Sequence, residues 1–267
     1  MNDTTTATLA VVSAGVSAPS STRLLADRIA QKALDALRAS GVPATVTVIE
    51  LGPIAVDIAR SLVSGFPNMA VQDAIDKLAE ADAIIASTPV YKAGISGLFK
   101  SFVDLIDNDL LIAKPVILAA TGGSARHAMV VDEQMRPLFA FLRTLPLPTS
   151  LYAATEDWSS ADLGKRIRRA ATELAVLLRS GAPREIADDN WDGYQHQFGG
   201  NATRAEKVTA DIDFDSDLMR LAAGGSVRHN RERPATPVPA SDLDGTAPGP
   251  HRDGSSNDGV PNSYSDG

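Results

Sequence analysis

From its start to about residue 181 the chain alternates short, almost continuously apolar runs with longer stretches of helical periodicity, and few architectures accept that pattern. The runs are Thr8–Ser13, Ala44–Glu50, Ala83–Ser87, Pro115–Ala120 and a weaker one at Thr149–Ala153. Strands with no polar alternation are covered on both faces, which is the condition of a parallel sheet between helical layers. The intervening periodicity predicts helices over Ser20–Ser40, Met69–Glu80, Ser96–Ile106, His127–Leu142 and Ser159–Ser180. In the first, Leu25, Ile29, Ala33 and Leu37 fall on one face, and Gly41 is a natural stop. Five strands with interleaved helices give an α/β fold built on a doubly wound, five-stranded parallel sheet.

Residues 1–181 therefore form one domain, and the rest of the chain differs in kind. Residues 182–224 read as a partly helical arm: Trp191 to Phe198 is aromatic for a linker, and Phe214, Leu218 and Leu221 recur at helical spacing. Such an arm packs either on its own domain or on a neighbouring subunit. Residues 225–267 read as a disordered tail, since the last 34 residues hold six Pro, five Gly, five Ser and five Asp. That composition buries too little apolar surface to offset the entropy of ordering. The run Arg228, His229, Arg231 and Arg233 beside it reads as solvated.

Composition removes several function classes. With 25 Lys+Arg against 33 Asp+Glu the net charge is −8, so no broad positive surface is available for nucleic acid. The absence of Cys excludes disulfides, thiolate metal sites and thiol nucleophiles. His127, His196, His229 and His251 are too far apart for short-range metal-ligand spacing. The first basic residue is Arg23 and no apolar run approaches a membrane span, so a soluble cytoplasmic protein is expected.

In an open sheet of this flavodoxin-like kind a ligand lies beyond the carboxyl ends of the strands, which directs attention to three loops. The first, Ser13-Ala14-Gly15-Val16-Ser17-Ala18-Pro19-Ser20-Ser21-Thr22-Arg23, is small, rich in hydroxyls, and opens into a helix. It suits either an anion or an ordinary capped helix start. It lacks the Gly-Lys-Ser/Thr of a Walker loop and the G-x-G-x-x-G of a dinucleotide fold. The second, Thr88 to Gly97, has Pro89 to stiffen it and Tyr91 to offer an aromatic face, as for a planar ring; Tyr91 also suits packing and Lys92 suits solvent. The third, Thr121-Gly122-Gly123-Ser124-Ala125-Arg126-His127, presents bare amides before a helix. Arg126 and His127 are candidates for a nucleotide phosphate, and His127 equally for a helix-start bond.

The stretch Ser87-Thr88-Pro89-Val90-Tyr91-Lys92-Ala93-Gly94-Ile95-Ser96-Gly97-Leu98-Phe99-Lys100, with Lys114-Pro115 through Arg126-His127 at the right separation, resembles the NAD(P)H-dependent FMN reductases. The resemblance covers roughly residues 8 to 180. It points in particular to the reductase partners of two-component flavin monooxygenases of the alkanesulfonate type. It implies FMN as cofactor, with NADPH or NADH as co-substrate. Ser20, Ser21 and Thr22 would hold the phosphate, Pro89, Val90, Tyr91 and Lys92 would line the isoalloxazine, and Thr121, Gly122, Gly123 and Ser124 would flank its edge. It further implies a monooxygenase receiving reduced FMN, and a homodimer or homotetramer. Two features depart from the family. Many relatives carry G-S-x-R in the first loop where this chain has Ala14-Gly15-Val16-Ser17, which leaves Arg23 as the substitute. Alkanesulfonate-type reductases carry an inserted tyrosine where this chain reads Val131-Asp132-Glu133-Gln134-Met135, so behaviour linked to that tyrosine does not carry over.

The three loops contain no carboxylate, no thiol and no nucleophile elbow, so no catalytic side chain is assigned. Hydride transfer needs stacked rings and N–H or positive character near the flavin rather than an acid or base. The alternatives are an FMN-retaining reductase of quinones, azo dyes or metal ions, and a flavodoxin-type electron carrier with no substrate of its own.

Overall fold

A computed structural model of the chain describes residues 6–190. The arm beyond Asn190, the tail and the Arg228–Arg233 cluster lie outside those residues.

Strands β1 (Ala7–Ser13), β2 (Ala44–Glu50) and β3 (Ala83–Tyr91) lie side by side with β1 in the middle, all parallel. A short strand β4 (Gly94–Ile95) folds back antiparallel on β3, and β5 (Pro115–Thr121) continues the parallel sheet on the other side of β3. The last position is shared by β6 (Leu145–Pro146), beside Pro115 and Val116, and β7 (Leu151–Ala153), beside Ala119 to Thr121. The weak fifth strand is thus a broken one. Pro146 and Pro148 have no N–H to give the ladder, and Leu147 alone continues it through a 2.9 Å bond to the Val116 carbonyl.

Alternation within β1 builds the two halves of the core. Leu9 and Val11 face α1 (Ser21–Ala39) and α6 (Ala161–Ser180), packing with Leu25, Ile29, Leu37, Ile167 and Leu174. Ala10 and Val12 face the other layer, made by α2 (Ala55–Ser64), α3 (Met69–Glu80), α4 (Gly97–Val103) and α5 (Arg136–Phe141), with Ile75, Phe99, Phe102 and Phe139. The four α1 residues expected on one face are all fully buried.

Several boundaries differ from expectation. The strand expected to end at Ser87 runs on to Tyr91, so Thr88 to Tyr91 are strand and not loop. Helix α2 was not expected, although Val56, Ala59, Leu62 and Val63 recur at helical spacing; that apolar face is exposed, and only Ile58 and Ser61 are buried. The helix expected over His127–Leu142 is three pieces, a 3₁₀ turn Ala125–His127, a π turn Val131–Met135 and α5. Pro137 has no N–H and its ring crowds the carbonyl four residues back. The Arg136 amide accordingly reaches five residues, to Val131. A 3₁₀ turn, Thr155–Ser159, precedes α6, and α7 (Ala182–Asn190) follows it. Among the described residues no helix is long and apolar enough to cross a membrane.

Candidate functional site

The order β2-β1-β3-β5 reverses direction at β1, and in an open sheet the carboxyl ends of the strands at such a switch point are where ligands bind. Ser13 stands beside Ser87 and Pro89 beside Thr121, so the loops leaving β1, β3 and β5 begin at one rim. Hydrogen bonds join them. The Ala14 amide donates to the Ser87 carbonyl at 3.0 Å, and the Ser87 hydroxyl donates to the Thr22 carbonyl at 3.1 Å. The Thr22 and Thr121 hydroxyls meet at 2.7 Å in a buried contact between the first turn of α1 and the end of β5.

In the first loop Ser20 caps α1, its Oγ accepting from the Arg23 amide at 3.2 Å. A Cβ on Gly15 would lie 1.9 Å from that Oγ, so only glycine lets the loop fold against the cap. Ser21 is exposed at the helix start, where first-turn amides have no carbonyl within the helix. The Thr22 side chain is buried against Thr121, so its amide is what it can present to a ligand. The Ser13 hydroxyl, at the end of β1 where this loop begins, is buried with no partner among the described residues. Arg23 does not turn back over the helix start: its guanidinium pairs with Asp27 and Glu50, both at 2.8 Å.

The second element is a hairpin. Tyr91 and Gly94 pair across a two-residue turn in which Lys92 and Ala93 take φ of 51° and 64°. Its base is fixed where the Ser96 amide donates to Thr88 Oγ1 at 3.2 Å and Ser96 Oγ caps α4. Pro89 is buried, Val90 half-buried, and Tyr91 is 53% exposed beside the exposed Lys92. Gln134, on the π turn, donates from Nε2 to the Ala93 carbonyl at 3.2 Å and accepts from the Ile95 amide at 3.0 Å.

In the third turn the Gly122 amide donates to the Ala153 carbonyl at 3.1 Å, and Tyr152 donates its hydroxyl to the Ser124 carbonyl at 2.6 Å. Burial, joined by the negative charges of Glu156 and Asp157, pushes the Tyr152 hydroxyl above its ordinary pKa and keeps it a donor. A Cβ on Gly122 would come within 2.1 Å of that oxygen, so this glycine is required by close approach. Arg126 is exposed and His127 half-buried in the 3₁₀ turn beyond it.

All eleven sequence-derived site residues thus sit on the three rim segments, with Pro89, Thr22 and Thr121 turned inward. The three loops carry no carboxylate of their own, with Glu50, Glu156 and Asp157 beside them, and offer helix-start amides, hydroxyls and glycine backbone, a donor set for a phosphorylated, planar ligand. A separate groove of about 330 Å³ between α1 and α6, lined by Arg28, Lys32, Leu163, Ile167 and Arg168, contains none of these residues. Among the described residues no group of three His, Asp or Glu side chains is placed to hold a metal ion. Sequence reasoning missed Tyr152 and Gln134. Both act through backbone groups of distant segments, and nothing local marks such a bond.

The family model for NADPH-dependent FMN reductases matches residues 7–159. An FMN reductase (NADPH) of Pseudomonas aeruginosa is 39% identical over 172 residues, 62% of this chain and 90% of that protein. The NADH-dependent FMN reductase SfnE of Pseudomonas putida is 41% identical over 172 residues, 62% of this chain and 89% of that protein. A crystal structure of an oxidoreductase from Corynebacterium diphtheriae is 42% identical with a TM-score of 0.64, covering 66% of this chain and 98% of that one. With more than half of its length matched by the family model, this chain belongs to the NADPH-dependent FMN reductases, enzymes that work with FMN and a reduced nicotinamide.

Proposed function

We propose that this NAD(P)H-dependent FMN reductase releases its reduced flavin to a separate flavin-dependent monooxygenase. The observation that carries the site is the tying of three carboxylate-free turns at one rim through Ala14–Ser87, Ser87–Thr22 and Thr22–Thr121. The residues present fit FMN: the Ser13 hydroxyl, where the first loop begins, is buried with no partner among the described residues, and nothing lies within 4 Å of where a Cβ on Gly123 would stand, which leaves the backbone of the third turn open to a ligand.

In this reading the amides of Ser21 and Thr22 and the hydroxyls of Ser20 and Ser21 hold the phosphate at the start of α1. Val90, Tyr91 and Lys92 line the ring, over the stiff base that Pro89 provides. Gly122, Gly123 and Ser124 present backbone along the ring edge, held there by Tyr152, and Thr121 locks that turn to α1. When bound, FMN supplies hydride-accepting chemistry at its N5. The protein's part is to stack the two rings closely and to place N–H dipoles by the pyrimidine side, which needs no side-chain acid. Tyr91 and Lys92 are open to solvent, which suits a flavin that enters and leaves. The exposed apolar residues Val63, Phe66 and Met69 about the end of α2 and the start of α3 support a homodimer or homotetramer. The reading places the reaction in the cytoplasm, with its pool of reduced nicotinamide.

NAD(P)H oxidation should rise and saturate with added FMN, and reduced FMN should bind more weakly than oxidised FMN. Oxidation indifferent to added flavin, or reduced FMN too tightly held to leave, would refute the supply role. The second outcome, with fast quinone reduction, would instead establish the flavin-retaining alternative.

A further inference from the structure

We propose that Gln134 is a positioning residue for the flavin: from the π turn it holds the β3–β4 hairpin in the shape that presents Tyr91 and Lys92 to the ring. The inference rests on the proposed placement of the isoalloxazine against that hairpin.

Ser96 and Thr88 fix the base of the hairpin, but its tip lacks the residues that its backbone favours. A two-residue turn with both φ positive belongs to Asn-Gly or Gly-Gly, and here it is Lys92-Ala93 at 51° and 64°. Side chains with a Cβ disfavour the left-handed region, and such a backbone persists only where surroundings over-determine it. Gln134 provides that determination. Its carboxamide meets the turn as a peptide group would, donating to the Ala93 carbonyl and accepting from the Ile95 amide on either side of Gly94. A Cβ at position 94 would be 3.2 Å from Gln134 Oε1, so a glycine there is what allows the close approach.

The other end of the strut is fixed as well. The π turn displaces Gln134 from an ordinary helical register, and Arg136 anchors the turn to the break between β6 and β7. Arg136 donates to the Leu147 carbonyl at 3.0 Å, to Ser150 Oγ at 2.6 Å and to Asp132 at 2.9 Å. A continuous chain of bonds thus runs from the broken fifth strand, through the π turn, to the hairpin. Gln134 reaches the ring only through that backbone.

The test compares wild type, Gln134→Ala, Ala93→Gly and the double variant. It reads FMN dissociation by fluorescence quenching, KM for NAD(P)H, and hydrogen exchange at the Ile95 amide without flavin. Loss of two neutral hydrogen bonds should weaken FMN binding roughly tenfold in Gln134→Ala, leave KM for NAD(P)H within about twofold, and speed exchange at Ile95. Glycine at position 93 tolerates positive φ, so Ala93→Gly should recover most of the FMN affinity in the double variant while Ile95 exchange stays fast. Faster exchange with unchanged FMN affinity, or no recovery by Ala93→Gly, would overturn the inference and leave the FMN site standing. Absence of FMN binding by wild type would overturn both, and unchanged exchange at Ile95 would remove the strut itself.

Discussion

Replacing Gly122 by alanine sets a methyl group 2.1 Å from the Tyr152 hydroxyl, where ordinary contacts begin at 3.4 Å. Neither partner can retreat freely. The Gly122 amide is bound to Ala153, and Tyr152 is only 4% exposed. The substitution therefore breaks the Tyr152–Ser124 bond, about 1 kcal/mol, and adds about 1–3 kcal/mol of crowding, for a total of about 2–4 kcal/mol. Tyr152→Phe alone loses only the bond, about 1 kcal/mol. In the double variant the hydroxyl is gone and the nearest atom to the new methyl is the ring carbon Cζ at 3.1 Å. The bond is then lost only once, and the double variant should cost about 1–2 kcal/mol, less than Gly122→Ala by itself. Urea unfolding and thermal melts read this directly: the single Gly122→Ala variant should melt roughly 5–15 °C lower, and Tyr152→Phe, harmful alone, should restore part of that loss. Strictly additive losses, or a Gly122→Ala variant within about 0.5 kcal/mol of wild type, would refute the close-approach reasoning.

Thr22→Val or Thr121→Val alone strands a buried hydroxyl and should cost about 1–3 kcal/mol in urea unfolding, whereas the double variant should lose less than the sum of the two. Burial works against the charge on Asp132, but the Ser150 hydroxyl and Arg136 outweigh it and hold the carboxyl below its ordinary pKa. Its contribution is full above the unfolded value of about 4 and is lost as pH falls through the lower folded one, so urea midpoints measured from pH 6 downward should fall less steeply at the acid end in Asp132→Asn. Tyr91→Ala should weaken FMN binding about three- to tenfold by fluorescence titration, for loss of an aromatic contact, with a melting temperature near wild type because the ring is already largely exposed. An unchanged titration would take Tyr91 out of the ring-lining set.

Much of this was legible because it is carried by local pattern. The nearly continuous apolar runs at Thr8–Ser13 and Ala83–Ser87 read as doubly covered strands, and the Leu25–Leu37 stripe as the face a helix turns to them. Once the sheet is parallel, its switch point directs ligands to the same three loops, whatever their side chains. What pattern cannot carry is contact between distant backbone and side chain. Arg23, a candidate for the phosphate by its position in the first loop, is instead shared between Asp27 and Glu50 at the end of a neighbouring strand. Thr22, read as a donor to a ligand, spends its hydroxyl on Thr121, ninety-nine residues away.

The sequence by itself determined the parallel sheet, its helical layers and the rim at which an open sheet takes its ligand, because side-chain period and strand polarity are local and strongly constrained. Only the tertiary structure decided which groups at that rim are free, that β3 folds back into a hairpin, and that Gln134 and Tyr152 hold two of the turns. Those outcomes depend on hydrogen bonds to backbone carbonyls and amides, which nearly every residue possesses and no sequence pattern distinguishes.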